Sequence, residues 1–167
     1  DGPAITGPNA NNQYTFTMPT KDVKITVEAK PEQYTVTLNK QSGTRGTSSV
    51  TATYAAAMPS ITIPTKTGYT FGGYYTATNG GGTQYYKADG TSAKAWTETS
   101  VTELYAKWTA NKLTIVYNKN DGSGESSSET FTYDGNMNDN YLAPPSGYNS
   151  RTGYTFAGWS LKSDGSD

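Results

Sequence analysis

The chain has 167 residues, with 13 Lys+Arg against 14 Asp+Glu and a formal net charge of −1. Because nucleic acids and anionic membranes select basic surfaces, this balance predicts no nucleic-acid partner. The sequence contains no His and no Cys, which excludes a Ser-His-Asp triad, a Cys nucleophile and the usual zinc sites. It also contains no apolar run long enough for a membrane span, so membrane insertion is not predicted.

The composition favours strands over helices. Hydrophobic residues make up 33% of the chain, 14 Tyr stand against 4 Phe, and Thr often alternates with apolar residues. Aromatic and β-branched residues are typical of strands in half-buried sheets. The predicted fold class is therefore mainly β, or α+β at most, with a thin core.

The first part of the chain, residues 1–30, is predicted to be the terminal hairpin of a preceding repeat. Residues 1–12 are rich in Gly, Pro and Asn, which is typical of a loop. Apolar residues then alternate with polar ones over residues 14–18 and again over residues 23–29, which predicts two strands. Because an isolated hairpin is marginal in water, we expect it to belong to a larger sheet.

Residues 34–108 are predicted to be one complete module. Alternation predicts a strand over residues 34–38 and a return strand over residues 50–54. Three Ala and a Met before a Pro predict a short helical turn at residues 55–58. The module closes with Leu-Tyr-Ala-Lys-Trp at residues 104–108, which places Leu, Ala and Trp on one face of a strand.

An internal repeat organises the sequence. Residues 68–75 read Gly-Tyr-Thr-Phe-Gly-Gly-Tyr-Tyr, and residues 153–160 read Gly-Tyr-Thr-Phe-Ala-Gly-Trp-Ser. Each copy predicts a short strand that carries two rings on one face and is interrupted or bulged at the following Gly. Two such copies indicate a chain built from repeated units.

The second unit, residues 112–167, is predicted to be a C-terminally truncated copy of the first. Its opening strand repeats that of residue 34 at an offset of 79 (113 − 34), whereas the glycine motif is offset by 85 (153 − 68). The difference predicts an insertion within residues 136–150. No counterpart of Trp96 or of the closing strand follows, so we expect a segment of a longer protein and an open sheet edge. Such an edge predicts a possible edge-strand dimer of this fragment.

These motifs resemble the Listeria–Bacteroides repeat, also called the internalin B-repeat type, of bacterial surface proteins. The resemblance rests on residues 34–38, 64–75 and 104–108, in this order. It implies small β-grasp-like modules in tandem, with at most a short helix each, on extracellular, cell-surface or cell-wall proteins, several of them adhesins. Two departures are Tyr74-Tyr75, where the family usually has Trp-Tyr, and the enlarged loop before Gly153.

Carboxylates are the general acid–base groups available for catalysis, but their contexts predict solvent exposure. Glycoside hydrolysis needs a pair of carboxylates that flank a cleft, and a module of this size seldom encloses one. We therefore predict no catalytic residue, no metal site and no cofactor. Two Asp-Gly stretches superficially resemble calcium loops, and turn chemistry explains them. The carboxylates considered are Asp89, Glu98, Glu103, Asp121, Glu125, Glu129, Asp134 and Asp139.

The aromatic residues are the strongest functional candidates, because exposed rings stack on sugars and anchor protein interfaces. For Phe71, Trp108, Phe156 and Trp159 the alternative is a place in the core of a module with few aliphatic residues. The candidate ligand-binding residues are Tyr74, Tyr75, Tyr85, Tyr86, Tyr141 and Tyr148.

The sequence therefore favours a non-enzymatic extracellular segment that acts as a stalk, an adhesion element or a protein-interaction module. Its expected partner is a host or matrix protein. The alternative is a glycan-binding module that uses exposed Tyr and Trp as an accessory to a larger surface protein.

Overall fold

The computed structural model describes residues 4–26, 28–133 and 145–166. The chain divides into two compact units, Asp1–Pro31 and Glu32–Asp167. The first unit has two strands of two residues each, and the second unit holds the seven longer strands. Among the described residues the helical structure is a single 3₁₀ turn at Thr78–Gly80. The predicted mainly-β fold class is therefore confirmed.

In the first unit, β1 (Ile5–Thr6) pairs antiparallel with β2 (Thr15–Phe16). The predicted pairing of residues 14–18 with residues 23–29 is wrong, because no strand forms in the described residues of the latter range. Val23 and Ile25 remain 37% and 58% exposed. These apolar side chains do not pack against a larger sheet within this unit. A hairpin without such packing is only marginally stable.

The second unit begins with a five-stranded sheet of spatial order β4-β3-β7-β5-β6. The pair β3–β7 is parallel, and the other pairs are antiparallel. Numbered within the sheet, the order is 2-1-5-3-4, which is that of a β-grasp fold and confirms the expectation. The strands are β3 (Gln33–Asn39), β4 (Ser49–Thr53), β5 (Tyr69–Tyr75), β6 (Gln84–Tyr86) and β7 (Glu103–Ala110).

The core lies on one face of this sheet, around the central strand β7. Leu104 and Ala106 of β7 are buried, and Trp108 packs against the same cluster, as the alternation of the closing strand predicts. Val36 and Leu38 contribute from β3 in the same way. The remaining buried members are Ala52, Met58, Phe71, Tyr74, Tyr85, Tyr86 and Trp96.

A β-bulge in β5 sets which aromatic residues reach this core. The register of β5 against β7 shifts between Phe71 and Tyr74, where Gly73 has a φ of +112°. Residues three apart on a regular strand point to opposite faces, but the extra bulge residue puts Phe71 and Tyr74 on the same face. Their rings meet edge to face at 5.2 Å. The bulge expected at the glycine is therefore present.

The predicted helical turn at residues 55–58 is wrong. Ala55 has a φ of +61°, and its N–H donates to the Trp96 carbonyl at 2.8 Å. The Trp96 N–H in turn donates to the Ala56 carbonyl at 2.8 Å. Since this segment satisfies its backbone groups by pairing with a distant loop, it adopts a turn instead of a helix.

The second repeat opens with a hairpin of β8 (Lys112–Asn118) and β9 (Ser126–Thr132). Its register pairs Lys112 with Thr132, which is the Gln33–Thr53 pair of the first repeat moved by 79 residues (112 − 33). The strand predicted at residues 153–160 is not formed. In the first repeat the equivalent strand β5 pairs with β7, and residues 161–167 contain no counterpart of β7.

Two buried tyrosines in the first repeat differ in how their hydroxyls are satisfied. The Tyr86 hydroxyl donates to the Pro59 carbonyl at 2.9 Å, whereas the Tyr74 hydroxyl has no hydrogen-bond partner in the described part of the chain. Burial raises the pKa of Tyr74 and of Tyr86 to about 12. Both phenols are therefore neutral inside the core at physiological pH.

We expect Tyr86→Phe to destabilise the chain by about 1 kcal/mol, because it removes the part-buried hydrogen bond from the phenol to the Pro59 carbonyl. Tyr74→Phe removes a hydroxyl that has no partner. The free energy of unfolding of this variant is therefore expected to stay within about 0.5 kcal/mol of that of the unmodified chain, or to rise. Urea unfolding of the two matched variants measures the difference. Equal losses would contradict the assigned hydrogen bond.

Candidate functional site

Three of the predicted ligand-binding residues are core residues. Tyr74, Tyr85 and Tyr86 each have 0% relative exposure. The prediction that they form a surface platform for a ligand is therefore wrong for these three. For Tyr74 the reason is the bulge at Gly73, which turns its ring inward.

Tyr85 and Tyr86 are adjacent in β6, where the register against β5 shifts between Tyr74 and Tyr75, and both belong to the buried cluster. Tyr86 packs edge to face on Tyr74 at 6.1 Å. The ring of Tyr85 lies 4.7 Å from that of Trp96, and its hydroxyl donates to Glu98 Oε1 at 2.8 Å. The irregular segment that carries Trp96 covers Tyr85, and no alternation pattern in the sequence signals that.

The other predicted residues lie in three different places. Tyr75 is half-buried, with Lys107 Nζ 5.8 Å from its ring centre. Tyr148 is half-buried and lines a groove in the second repeat. Tyr141 lies outside the described residues. The structure therefore does not bring the predicted tyrosines together into one site.

A groove beside Tyr148 has a volume of about 680 Å³. We call it the second-repeat groove. It lies between β8 and the segment that carries the second glycine motif. Its apolar residues include Ile115 and Tyr117 on β8, with Phe156 and Trp159 opposite. The Tyr117 and Trp159 rings are 5.0 Å apart.

The residues around this groove reproduce side-chain pairs of the first repeat. Phe156 and Trp159 meet edge to face at 5.4 Å, as Phe71 and Tyr74 do. A cation also lies over a tyrosine ring in each copy. Lys66 Nζ lies 4.3 Å from the Tyr69 ring centre, and Arg151 Cζ lies 4.2 Å from that of Tyr154. Both copies of the glycine motif therefore share these side-chain pairs, although the strand forms in the first copy and not in residues 153–160.

A second candidate site lies where the two repeats meet. One residue, Asn111, separates β7 from β8, and it bonds to both sides of the joint. Its N–H donates to the Gly68 carbonyl at 2.9 Å, and its carbonyl accepts from the Tyr133 N–H at 2.8 Å. Its side-chain oxygen accepts from the Thr70 hydroxyl at 2.6 Å.

Beside this joint is a smaller pocket of about 350 Å³, which we call the junction pocket. Its two rings, Tyr69 and Tyr133, meet edge to face at 5.5 Å, and both are half-buried. Lys66 and several hydroxyls complete its wall. The hydroxyl residues are Ser42, Thr44, Thr65 and Thr67. Sequence reasoning missed this pocket because its two rings come from different repeats.

The acidic side chains with resolved pKa shifts are not arranged for acid catalysis. The Ser123 hydroxyl and N–H lower the pKa of Asp121 to about 2, and Thr91 lowers that of Asp89 in the same way. A general acid needs the opposite shift. Asp164 bonds to Ser166 in the same turn, so these Asp residues serve as turn caps.

No group of three or more Asp, Glu, His or Cys side chains suited to a metal ion occurs among residues 4–26, 28–133 and 145–166. In those same ranges, no helix has the length and apolar character of a membrane span.

A family model described as the Listeria-Bacteroides repeat domain matches residues 34–107 and 114–167. This match confirms the resemblance drawn from the three motifs. No solved structure matches the chain at a significant level.

Three curated relatives cover parts of the chain. A putative Gly-rich membrane protein of Evansella cellulosilytica is 33% identical over 103 residues, which are 60% of this chain and 12% of that protein. A putative membrane protein of the same organism is 32% identical over 143 residues, or 80% of this chain and 19% of that protein. Internalin H of Listeria monocytogenes is 35% identical over 98 residues, which are 59% of this chain and 15% of that protein. The chain thus spans less than a fifth of each of these three relatives.

The two glycine motifs supply a matched pair of positions for substitution, Gly68 at the joint and Gly153 away from it. Gly68 and Gly153 have nearly the same φ, +76° and +81°. A Cβ at Gly68 would overlap the Tyr133 ring, whereas a Cβ at Gly153 would have nothing within 4 Å. We expect Gly153→Ala to cost about 1–2 kcal/mol from backbone strain and Gly68→Ala to cost about 1–3 kcal/mol more from overlap.

Thermal and urea unfolding of the two variants measure this difference. Equal destabilisation would show that Tyr133 does not pack on Gly68.

Proposed function

Because the chain belongs to the Listeria–Bacteroides repeat domain family, we propose that it is a non-enzymatic repeat segment of a bacterial cell-surface protein. In this role it acts outside the cell as a stalk, an adhesion element or a protein-interaction module. The observation that carries the proposal is the single-residue joint at Asn111, with its hydrogen bonds to Gly68, Thr70 and Tyr133.

A stalk requires that successive modules keep a defined orientation. A long, polar linker would let them swing, but the strand that closes the first repeat continues into the second after one residue. The Tyr69–Tyr133 ring contact adds side-chain packing across the joint. In repeat proteins such contacts between neighbours contribute much of the stability.

The chemistry of the side chains supports a non-enzymatic role. The sequence has no His and no Cys, so general acid–base work would fall to carboxylates, Lys or Tyr. Glu98 bonds to the Tyr85 hydroxyl and Glu103 to the Tyr105 hydroxyl at 2.7 Å. Asp121 and Glu125 share the Lys119 ammonium at 3.3 and 3.0 Å. These acids stabilise turns and strands of the modules.

The absence of native Cys allows a direct test of the joint by spin labelling. Labels at Ser49→Cys and Ser128→Cys occupy equivalent exposed positions in the two repeats. We expect a narrow distribution of distances between the labels. Asn111→Gly removes the bond to Thr70 and frees the backbone, so it should widen the distribution to about twice its width or more.

The control is Asn120→Gly, the same replacement at an exposed turn outside the joint, which should leave the distribution narrow. A broad distribution in the unmodified chain would contradict the stalk role. Turnover of a substrate that is abolished by replacing one carboxylate would contradict the non-enzymatic assignment.

A second candidate function, glycan binding, is supported by the junction pocket. Two half-exposed rings, Tyr69 and Tyr133, lie beside an ammonium group and four hydroxyl-bearing residues. Sugars bind to such sites through stacking on a ring and hydrogen bonds to polar side chains. This pocket replaces the tyrosines of the core as the candidate glycan surface.

A glycan array of the unmodified chain tests this second function. We expect binding that falls about five-fold or more in Tyr133→Ala, because loss of a stacking ring removes about 1 kcal/mol of binding free energy or more. Tyr54→Ala serves as the control, since Tyr54 is 41% exposed and lies outside the pocket. An array without binding, or equal losses in both variants, would contradict glycan recognition at this pocket.

A further inference from the structure

Charge is unevenly distributed along the chain, and the junction pocket lies in a positive part of it. Residues 33–88 contain four Lys or Arg and no Asp or Glu, so this stretch has a formal charge of +4, whereas the whole chain has −1. Except for Tyr133, all the residues that line the pocket come from this stretch. A local surplus of positive charge attracts anionic ligands even when a chain is nearly neutral overall.

Lys66 is the cation of the pocket wall, and its ammonium is not engaged by a carboxylate. Its Nζ lies 4.3 Å from the ring centre of Tyr69. Among the described residues both salt bridges belong to Lys119, and no residue that lines the pocket is acidic. A contact with a ring face does not use the N–H donors of an ammonium group. The Lys66 side chain can therefore donate hydrogen bonds to an anionic ligand.

The two rings of the pocket are held in place by contacts within the chain. The Tyr133 N–H donates to the Asn111 carbonyl at 2.8 Å, and the Tyr133 ring fills the space that a Cβ at Gly68 would need. The Tyr69 ring meets that of Tyr133 edge to face at 5.5 Å. Both rings are half-buried, so part of each remains open to a ligand. Because these side chains are already ordered, binding to them costs little conformational entropy.

Hydroxyl groups make up the rest of the lining. The backbones of Thr44 and Thr65 exchange two hydrogen bonds, at 2.7 and 2.9 Å, and their side-chain hydroxyls lie 3.2 Å apart. Ser42 and Thr67 add two more hydroxyls. The volume of about 350 Å³ is at the lower end of the range for small-molecule sites, about 300–1,000 Å³, and exceeds what an inorganic anion fills. The lining therefore suits a ligand that has a ring, several hydroxyls and a negative charge.

We propose that the junction pocket binds an anionic saccharide, whose carboxylate or sulfate accepts hydrogen bonds from the Lys66 ammonium while a sugar ring stacks on Tyr133. This inference rests on the glycan-binding function proposed above and names the class of glycan. A charge-assisted hydrogen bond is about twice as strong as a neutral one, so the pocket discriminates between an acidic sugar and its neutral analogue. Because salt screens partly exposed charges, this discrimination decreases as ionic strength rises.

The first probe is a tetrasaccharide of alternating glucuronic acid and N-acetylglucosamine. Its matched control is the same tetrasaccharide after reduction of the carboxylates to alcohols, which leaves the rings and the other hydroxyls unchanged. In calorimetric titrations of the full chain at about 50 mM salt, we expect the acidic form to bind about five-fold or more tightly than the reduced form. At about 0.5 M salt the ratio should fall below about two-fold.

A third tetrasaccharide, the reduced form with a sulfate on each N-acetylglucosamine, distinguishes the two kinds of anionic group. Tighter binding of the acidic form identifies the carboxylate as the recognised group, and tighter binding of the sulfated form identifies the sulfate. Equal binding of all three forms would overturn the anionic preference and leave glycan binding in place. No binding of any form would overturn both proposals.

Substitutions of Lys66 locate the charge recognition on the chain. Lys66→Gln should lower the affinity for the preferred anionic form about five-fold or more and leave that for the reduced form unchanged, whereas Lys66→Arg should keep the preference. Lys87→Gln is the control, because it removes the same charge from the same positive stretch at a residue that does not line the pocket. Equal losses in Lys66→Gln and Lys87→Gln, or equal losses for the anionic and the reduced forms, would overturn the proposal.

Discussion

The first repeat depends on one long-range constraint, the insertion of β7 between β3 and β5. The Leu38–Leu104 pair joins residues that are far apart in sequence, and it forms the parallel part of the sheet. Until β7 is in place, the apolar faces of β3 and β5 have no common cover. Once in place, it buries Leu104 and Ala106 almost completely and packs Trp108 against Phe71. The entropy cost of closing the long chain segment between β3 and β7 is thus offset by the contacts that β7 makes.

In the described residues of the second repeat, 112–133 and 145–166, no strand corresponds to β7. The Arg151–Tyr154 turn and the Phe156–Trp159 ring pair keep the geometry of their first-repeat counterparts. Since each pair is three residues apart, neighbouring side chains and the glycine between or beside them are sufficient to form it. The strand itself and the burial of its rings are not local properties, because both require the cover that β7 gives to Phe71.

The same distinction explains how much the sequence predicted. Alternation located β3, β4 and β7, and the offset of 79 residues anticipated the register of the second hairpin. The conformation of Tyr74 could not be read from alternation, because one bulge residue reverses the face of every residue after it. The burial of Tyr85 was not predicted for another reason. Its cover, Trp96, lies in an irregular segment whose path is set by backbone pairing with Ala55 and Ala56.

The joint between the repeats follows from the position of β7 in the fold. Because the closing strand of the first repeat lies at the centre of its sheet, the chain leaves that repeat from its central strand and enters β8 one residue later. Asn111 and Tyr133 then contact Gly68, which directly precedes β5, the strand that pairs with β7. Completing the core of the first repeat therefore positions β8, the first strand of the second repeat. The orientation between the two repeats is thus a consequence of how β7 closes the first.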